Sequence, residues 1–334
     1  MRFAKGHGTE NDFIILPDPD GVIDLTSGLA ARLCDRRAGL GADGVLRAVR
    51  VASGPASAPG AGPAAASGAG AGPAPPGDGA EWFMDYRNAD GSPAEMCGNG
   101  IRVFARYLLE HDLVAAPELA VATRGGIRLV RTEPDGEITV DMGPPQVLGP
   151  GRATLAGRPL EGLRVSLGNP HLACLVDTPL AEFDLSQPPV IDAGQFPDGV
   201  NLELVSVIDS GHILMRVYER GSGATRSCGT GAVAAAAAAS MAAGGETSAA
   251  SGEVGAPAAA PPGSGAVPAS AAVGAAPPPA GAWVVDLPGG RLRVTLDGRA
   301  SFLSGPAVIV AEGELDEAWL SGRPSTPDQS SPVA

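Results

Sequence analysis

Short runs of Val, Ile, Leu and aromatic residues recur along this chain, separated by Gly, Pro and Asp. Runs of that length between turn residues predict strands. In the first half they are Phe13–Leu16, Trp82–Arg87, Leu119–Thr123, Gly126–Arg131 and Glu137–Met142. In the second half they are Leu163–Leu167, His171–Val176, Val200–Val207, His212–Tyr218, Trp283–Leu287, Leu292–Leu296 and Val308–Ala311. Close spacing between them predicts hairpins rather than repeated crossover helices. Helical periodicity is rarer. One helix is expected from Thr26 to Arg37. A second follows Cys97, where Ile101, Phe104, Ala105, Leu108 and Leu109 share a face and Arg102, Arg106 and Glu110 fall opposite. A third follows Cys228 into an alanine run, whose small side chains suit a central helix packed closely on a sheet. The pattern is that of an α+β protein.

Composition trims the part that folds. Of the 334 residues, 52–80 are all Ala, Gly, Pro or Ser apart from Asp78, and 243–282 repeat that bias. Without large apolar side chains both are expected to be disordered insertions, as is the tail 323–334. About 250 residues remain, enough for two cores. A net charge of −14 with scattered arginines argues against a nucleic-acid partner. The most apolar run, Ala232 to Ala243, is too short and too alanine-rich to span a membrane, and the N-terminus carries no secretion-like apolar stretch. Four well-separated cysteines without a C-x-x-C pair, and four histidines without ligand spacing, predict no metal site and a reducing, cytoplasmic setting. Lys5 is the sole lysine and has no phosphate cradle around it, so a pyridoxal cofactor is not expected. GSGA at Gly221 lacks the third glycine of a dinucleotide fingerprint.

Two stretches repeat. CGNG begins at Cys97 and CGTG at Cys228, each leading into a helix. A helix N-terminus offers unpaired N–H groups and partial positive charge, which lower a thiol's pKa and hold a carboxylate. Two such units facing each other would place a base on one side of a carbon and an acid on the other, the arrangement for stereoinversion. Cys34 and Cys174, on a helix and in an apolar strand, read as core residues.

With these motifs the chain resembles the diaminopimelate epimerase family. The likeness rests on HGTENDF near the N-terminus, NADGS at Asn88, EMCGNG around Cys97, GNPH at Asn169, GVN at Asn201, YERGSGATRSCGTGA around Cys228 and DLPGG at Asp286. It implies two structurally similar domains related by pseudo-two-fold symmetry, each a mostly antiparallel sheet wrapped on a central helix, with the active site between them. The implied boundaries are 1–141 with 306–322 for one domain and 142–305 for the other. The implied activity is interconversion of LL- and meso-diaminopimelate without a cofactor, in lysine and peptidoglycan precursor synthesis, by a homodimer. By the same resemblance Cys97 and Cys228 are the acid/base pair. Asn11, Asn88, Asn169 and Asn201 hold the substrate's distal end, and Arg220 pairs with its carboxylate. Glu219 lies near the substrate ammonium and the thiols, and His171 tunes the cysteines. Gly98, Asn99, Gly229 and Thr230 present helix-start N–H groups to the reacting carboxylate.

Two positions depart from the family pattern: Ala224 stands where many relatives carry Glu, and Gly44 where some carry Gln. Two other functions compete. A proline or hydroxyproline racemase-like isomerase shares the two-cysteine logic, but such substrates lack a second ammonium and carboxylate, so Arg220, Glu219 and the four asparagines argue against it. A redox-sensing relative would use a Cys97–Cys228 disulfide as a switch.

Overall fold

The computed structural model describes residues 1–51, 79–115, 117–249 and 278–322. Most of the expected insertions and the tail therefore lie outside the described residues. The chain forms two compact units. One comprises the described residues of Met1–Gly8, Asp12–Ile138 and Ala307–Ala334, the other Thr9–Asn11 and Thr139–Pro306.

The first unit contains β1 (Arg2–Gly8), β2 (Asn11–Pro17, apart from Asn11 itself), α1 (Ser27–Cys34), β3 (Gly44–Arg50), β4 (Trp82–Asn88), α2 (Gly98–Glu110), β5 (Glu118–Thr123) and β6 (Gly126–Thr132). The strand Val308–Glu314 returns to pair antiparallel with β1. From there the sheet runs β1, β2, β3, β4, β5, β6. β3–β4 and β5–β6 are antiparallel, while β2–β3 and β4–β5 are parallel. The parallel pairs are the ones that α1 and α2 bridge, because parallel neighbours need a crossover connection. Helices thus serve as crossovers here, contrary to the hairpin-only expectation.

α1 is shorter than its periodicity suggests. Thr26 caps it by accepting the Leu29 N–H, and it stops at Cys34. α2 buries Ile101, Val103, Phe104, Ala105, Tyr107 and Leu108 against β1, β3 and β4. Arg102 also lies on the buried side, with 0% exposure. The expectation that it joins a polar outer face is therefore wrong. Its guanidinium turns back to donate to Gly98 O at 3.1 Å and Asn99 Oδ1 at 3.0 Å, which satisfies the charge internally.

The second unit contains β7 (Ile138–Asp141), β8 (Gln146–Leu155), β9 (Arg158–Ser166), β10 (Pro170–Leu175), β11 (Val190–Ile191), β12 (Asn201–Asp209), β13 (His212–Glu219) and β14 (Gly223–Thr225). Then come α3 (Gly229–Ala249), β15 (Gly281–Leu287), β16 (Gly290–Leu296) and β17 (Ser301–Gly305). Its sheet runs β11, β8, β9, β10, β12, β13, β15, β16, β17, β7, with β14 also on β13. Ala232 to Ala239 are all buried, so the alanine helix is enclosed on every side. α3 packs against β9, β10, β12, β13, β15, β16 and β17. It continues to Ala249, into the segment expected to be an insertion.

The two units are built on one plan. In each, a parallel strand pair is followed by an antiparallel partner, a helix, a second parallel pairing and a hairpin: β2, β3, β4, α2, β5, β6 in one; β10, β12, β13, α3, β15, β16 in the other. Phe13 faces Gly44 across the first pair, and His171 faces Asn201 across its counterpart. By that register Phe13 corresponds to His171, and Leu46, two residues beyond Gly44, to Glu203.

Candidate active site

Cys97 is the N-cap residue of α2, with an extended backbone (φ −139°, ψ 122°). Its Sγ accepts the Gly100 N–H at 3.4 Å, so the sulfur occupies the place where a Ser or Thr oxygen usually caps a helix. The side chain is partly exposed, while Gly98 and Asn99 beside it are buried. Burial pushes the Arg102 guanidinium down to about 10, and the Cys97 charge works against that shift. The attraction is mutual: a protonated Arg102 favours a thiolate at Cys97.

Cys228 stands at the matching place before α3 but is 5% exposed. Its Sγ lies 3.6 Å from Thr230 Oγ1. Sequence reasoning expects the helix start to lower this thiol's pKa, yet it is raised well above the ordinary thiol value. Burial is the main cause, followed by the Glu219 and Glu203 carboxylates, which together outweigh the Thr230 hydroxyl and the Gly231 N–H. Cys34 and Cys174 are core thiols, pushed up to about 11 and about 12 mainly by burial.

Most of the other predicted residues collect in the second unit. Asn169 Nδ2 donates to Thr230 Oγ1 at 3.2 Å. Asn201 Oδ1 accepts the Arg220 backbone N–H at 2.9 Å, while the Arg220 guanidinium donates to Asp198 O at 2.6 Å. Glu219 accepts from the Thr225 hydroxyl. Asn11 sits in the same unit, two residues after Thr9, whose hydroxyl is 2.6 Å from that of Ser227, the neighbour of Cys228. Asn88 lies in the first unit with Cys97, and its Nδ2 donates to Ser92 Oγ at 3.0 Å. Three residues upstream, buried Asp85 is held by Arg47 at 2.9 Å, Arg87 at 3.0 Å and Arg124.

The two departures have different surroundings. A Cβ on Gly44 would come within 2.6 Å of both Arg87 O and the Tyr86 ring, so this β3 start admits no side chain. Ala224 is exposed in β14. Lys5 is engaged with Asp12 at 2.7 Å and with Gly41 O. Among the described residues no group of three or more His, Cys, Asp or Glu is placed to hold a metal ion.

One residue escaped sequence reasoning. Glu203 is fully buried, and its Oε1 lies 2.6 Å from Nδ1 of the equally buried His171. The signal was present: a single carboxylate in the apolar run NLELV, in a strand whose first five residues are all buried. A charge at such a position requires a partner.

A profile of the family described as Diaminopimelate epimerase matches residues 3–148 and 163–255. The chain belongs to the diaminopimelate epimerase family. The diaminopimelate epimerase of Thermobifida fusca is 54% identical over 315 residues, covering 94% of this chain and 98% of that one. The corresponding protein of Acidothermus cellulolyticus is 47% identical over 96% of this chain and 97% of its own length. Solved structures share the fold at low identity. A phenazine biosynthesis protein of the PhzF family from Bacillus anthracis aligns with a TM-score of 0.57 at 15% identity, covering 94% of this chain and 98% of that one. A hydroxyproline epimerase from Agrobacterium vitis aligns at 0.53 and 13%, covering 96% and 93%.

Proposed function

We propose that this protein is a diaminopimelate epimerase that interconverts the LL and meso isomers by two-base proton transfer between Cys97 and Cys228. The observation that carries the reading is the pair of thiols, each immediately before a helix whose first turn is the Gly-x-Gly of a Cys-Gly-x-Gly sequence. One sulfur removes the α-proton, leaving a carbanion whose charge spreads onto the substrate carboxylate. The other sulfur delivers its proton to the opposite face of that carbon. Each turnover leaves the two protonation states exchanged, which suits a reversible reaction.

The surroundings of the sulfurs support opposite resting states. Cys97 has the buried Arg102 cation one turn into its helix. Cys228 is enclosed with two carboxylates nearby and keeps its proton. Cys228 is therefore assigned as the thiol that starts protonated and Cys97 as its partner, the two roles swapping with reaction direction. The N–H groups of Gly98, Asn99, Gly229 and Thr230 are assigned to the reacting carboxylate. Asn11, Asn88, Asn169 and Asn201 are assigned to the distal amino-acid end, Arg220 to its carboxylate as a bidentate donor, and Glu219 to an ammonium. Thiol chemistry of this kind needs a reducing compartment, and the reading includes a cytoplasmic homodimer. Light scattering of the reduced protein tests the dimer.

Single Cys97→Ser and Cys228→Ser variants test the assignment. Each is expected to lose most epimerisation of diaminopimelate while keeping the fold by circular dichroism. Wild-type turnover in either would refute it.

A further inference from the structure

We propose that Glu203 is a positioning residue for the second thiol: with His171 it takes the place that the apolar pair Phe13 and Leu46 holds in the first unit, and this exchange keeps Cys228 in its protonated form. The inference rests on the assignment of Cys228 as a proton donor.

The internal repeat supplies the comparison. Gly100 and Gly231 are the second glycines of the two Cys-Gly-x-Gly sequences. A Cβ on Gly100 would touch Phe13 Cζ and Leu46 Cδ2 at 3.4 Å, an apolar floor beneath the Cys97 helix start. A Cβ on Gly231 would meet Glu203 Oε1 at 2.8 Å, with Cys228 Cβ and Sγ at 3.2 and 3.3 Å. The floor beneath Cys228 is thus a carboxylate, in contact range of the helix backbone beside the sulfur. Glycine at 231 makes room for that carboxylate and not only for a ligand.

The pair is also unfinished. Oε2 of Glu203 and Nε2 of His171 are both buried and meet no partner among the described residues. Burial pushes the Glu203 carboxyl up, and the charge and hydrogen bond of His171 work the other way and favour the carboxylate. The charge held there has no water shell and acts strongly on its neighbours. The groups bearing on Cys228 are Glu203 from β12 and Glu219 from the end of β13, with His171 on β10 bonded to Glu203. Glu203 also bears on Cys174, on β10. A thiolate at Cys228 would form beside this negative charge, so the thiol persists. The corresponding floor in the first unit carries no charge, and a cation, Arg102, sits there instead on the helix. Chemically matched thiols are made unequal by two side-chain exchanges beneath them.

The test is the pH dependence of alkylation. The full-length, reduced protein is treated with iodoacetamide across pH 6 to 10, and the Cys97 and Cys228 peptides are quantified separately by mass spectrometry. Glu203→Gln keeps the shape and removes the charge. The Cys228 midpoint is expected to fall by about one unit or more, raising its alkylation about tenfold at fixed lower pH, while the Cys97 profile stays in place. A His171→Phe, Glu203→Leu double variant, whose packing already exists at the matching place in the first unit, should give the same shift if Glu203→Gln does not fold. Coincident Cys228 profiles in wild type and variants would overturn the proposal, since a merely structural Glu203 would leave the midpoint unmoved. Alkylation needs no substrate, so this outcome is independent of whether the wild-type protein epimerises diaminopimelate.

Discussion

Replacing Gly231 with Ala tests the packing beneath the Cys228 helix. The same exchange at Gly100 provides an internal control, because both glycines stand three residues after their cysteine. Alanine in a helix gains up to about 1 kcal/mol over glycine. At Gly100 the new methyl meets Cys97, Leu46 and Phe13 at ordinary contact distances of 3.4 Å. Gly100→Ala is therefore expected to be neutral or stabilising by less than about 1 kcal/mol. At Gly231 the methyl would lie 2.8 Å from a buried carboxylate oxygen, too close to remain. Overpacking costs about 1–3 kcal/mol, and disturbing the His171–Glu203 hydrogen bond costs about another 1–3. After the helix-propensity gain, Gly231→Ala is expected to lose roughly 1–5 kcal/mol. Chemical denaturation of the two variants in parallel reads this difference directly. Epimerase activity should fall more than about tenfold in Gly231→Ala, because the new methyl would crowd both the Glu203 carboxylate and the Cys228 sulfur, and should change little in Gly100→Ala. Equal stability of the two variants within about 0.5 kcal/mol would refute the reasoning.

Other consequences follow from single contacts. Because Cys97 caps α2 through its sulfur, Cys97→Ser substitutes a better cap, so stability should hold or rise by up to about 1 kcal/mol in urea titrations while activity is lost. Arg102→Met removes the buried cation beside Cys97, and iodoacetamide labelling of Cys97 at neutral pH should slow. Burial alone would raise the Asp12 pKa, but hydrogen bonds and charge from Arg36 and Lys5 win and hold it at about 2. A carboxylate with a depressed folded pKa stabilises above its unfolded pKa of about 4, and that contribution is lost as pH falls towards 2. Unfolding measured between pH 5 and 2 should show up to about 2 kcal/mol of acid dependence that Asp12→Asn abolishes. Deleting residues 55–77, which are Ala, Gly, Pro and Ser throughout, should leave turnover unchanged in the standard assay.

The starts of the two cysteine-led helices were legible in the sequence, and the reason is chemical. The two Cys-Gly-x-Gly sequences are local signals, and both helices start where those signals place them. Strands with small residues on their buried face were not legible. In β1, RFAKGHG, the inward positions are Ala4, Gly6 and Gly8, which give no apolar alternation. β8, QVLGPGRATL, hides behind Gly149, Pro150 and Gly151 and a register shift between Val147 and Gly149. The environment of Cys228 was illegible for a different reason. Helix-start electrostatics predict a lowered pKa, but Glu203 and Glu219 come from other strands, and only the folded chain brings them to the sulfur. Arg102 inverts the usual rule in the same way, since helical spacing assigns it to a polar face while its hydrogen bonds with Gly98 and Asn99 allow it to be buried.

The central claim is cofactor-free epimerisation of diaminopimelate by this chain's own thiols. The most direct measurement incubates the pure, reduced protein with LL-diaminopimelate in deuterium oxide, with nothing else added, and follows the α-proton by NMR. Loss of the α-proton signal together with the appearance of deuterated meso product is expected. Retention of the α-proton by fully reduced, folded protein would contradict it.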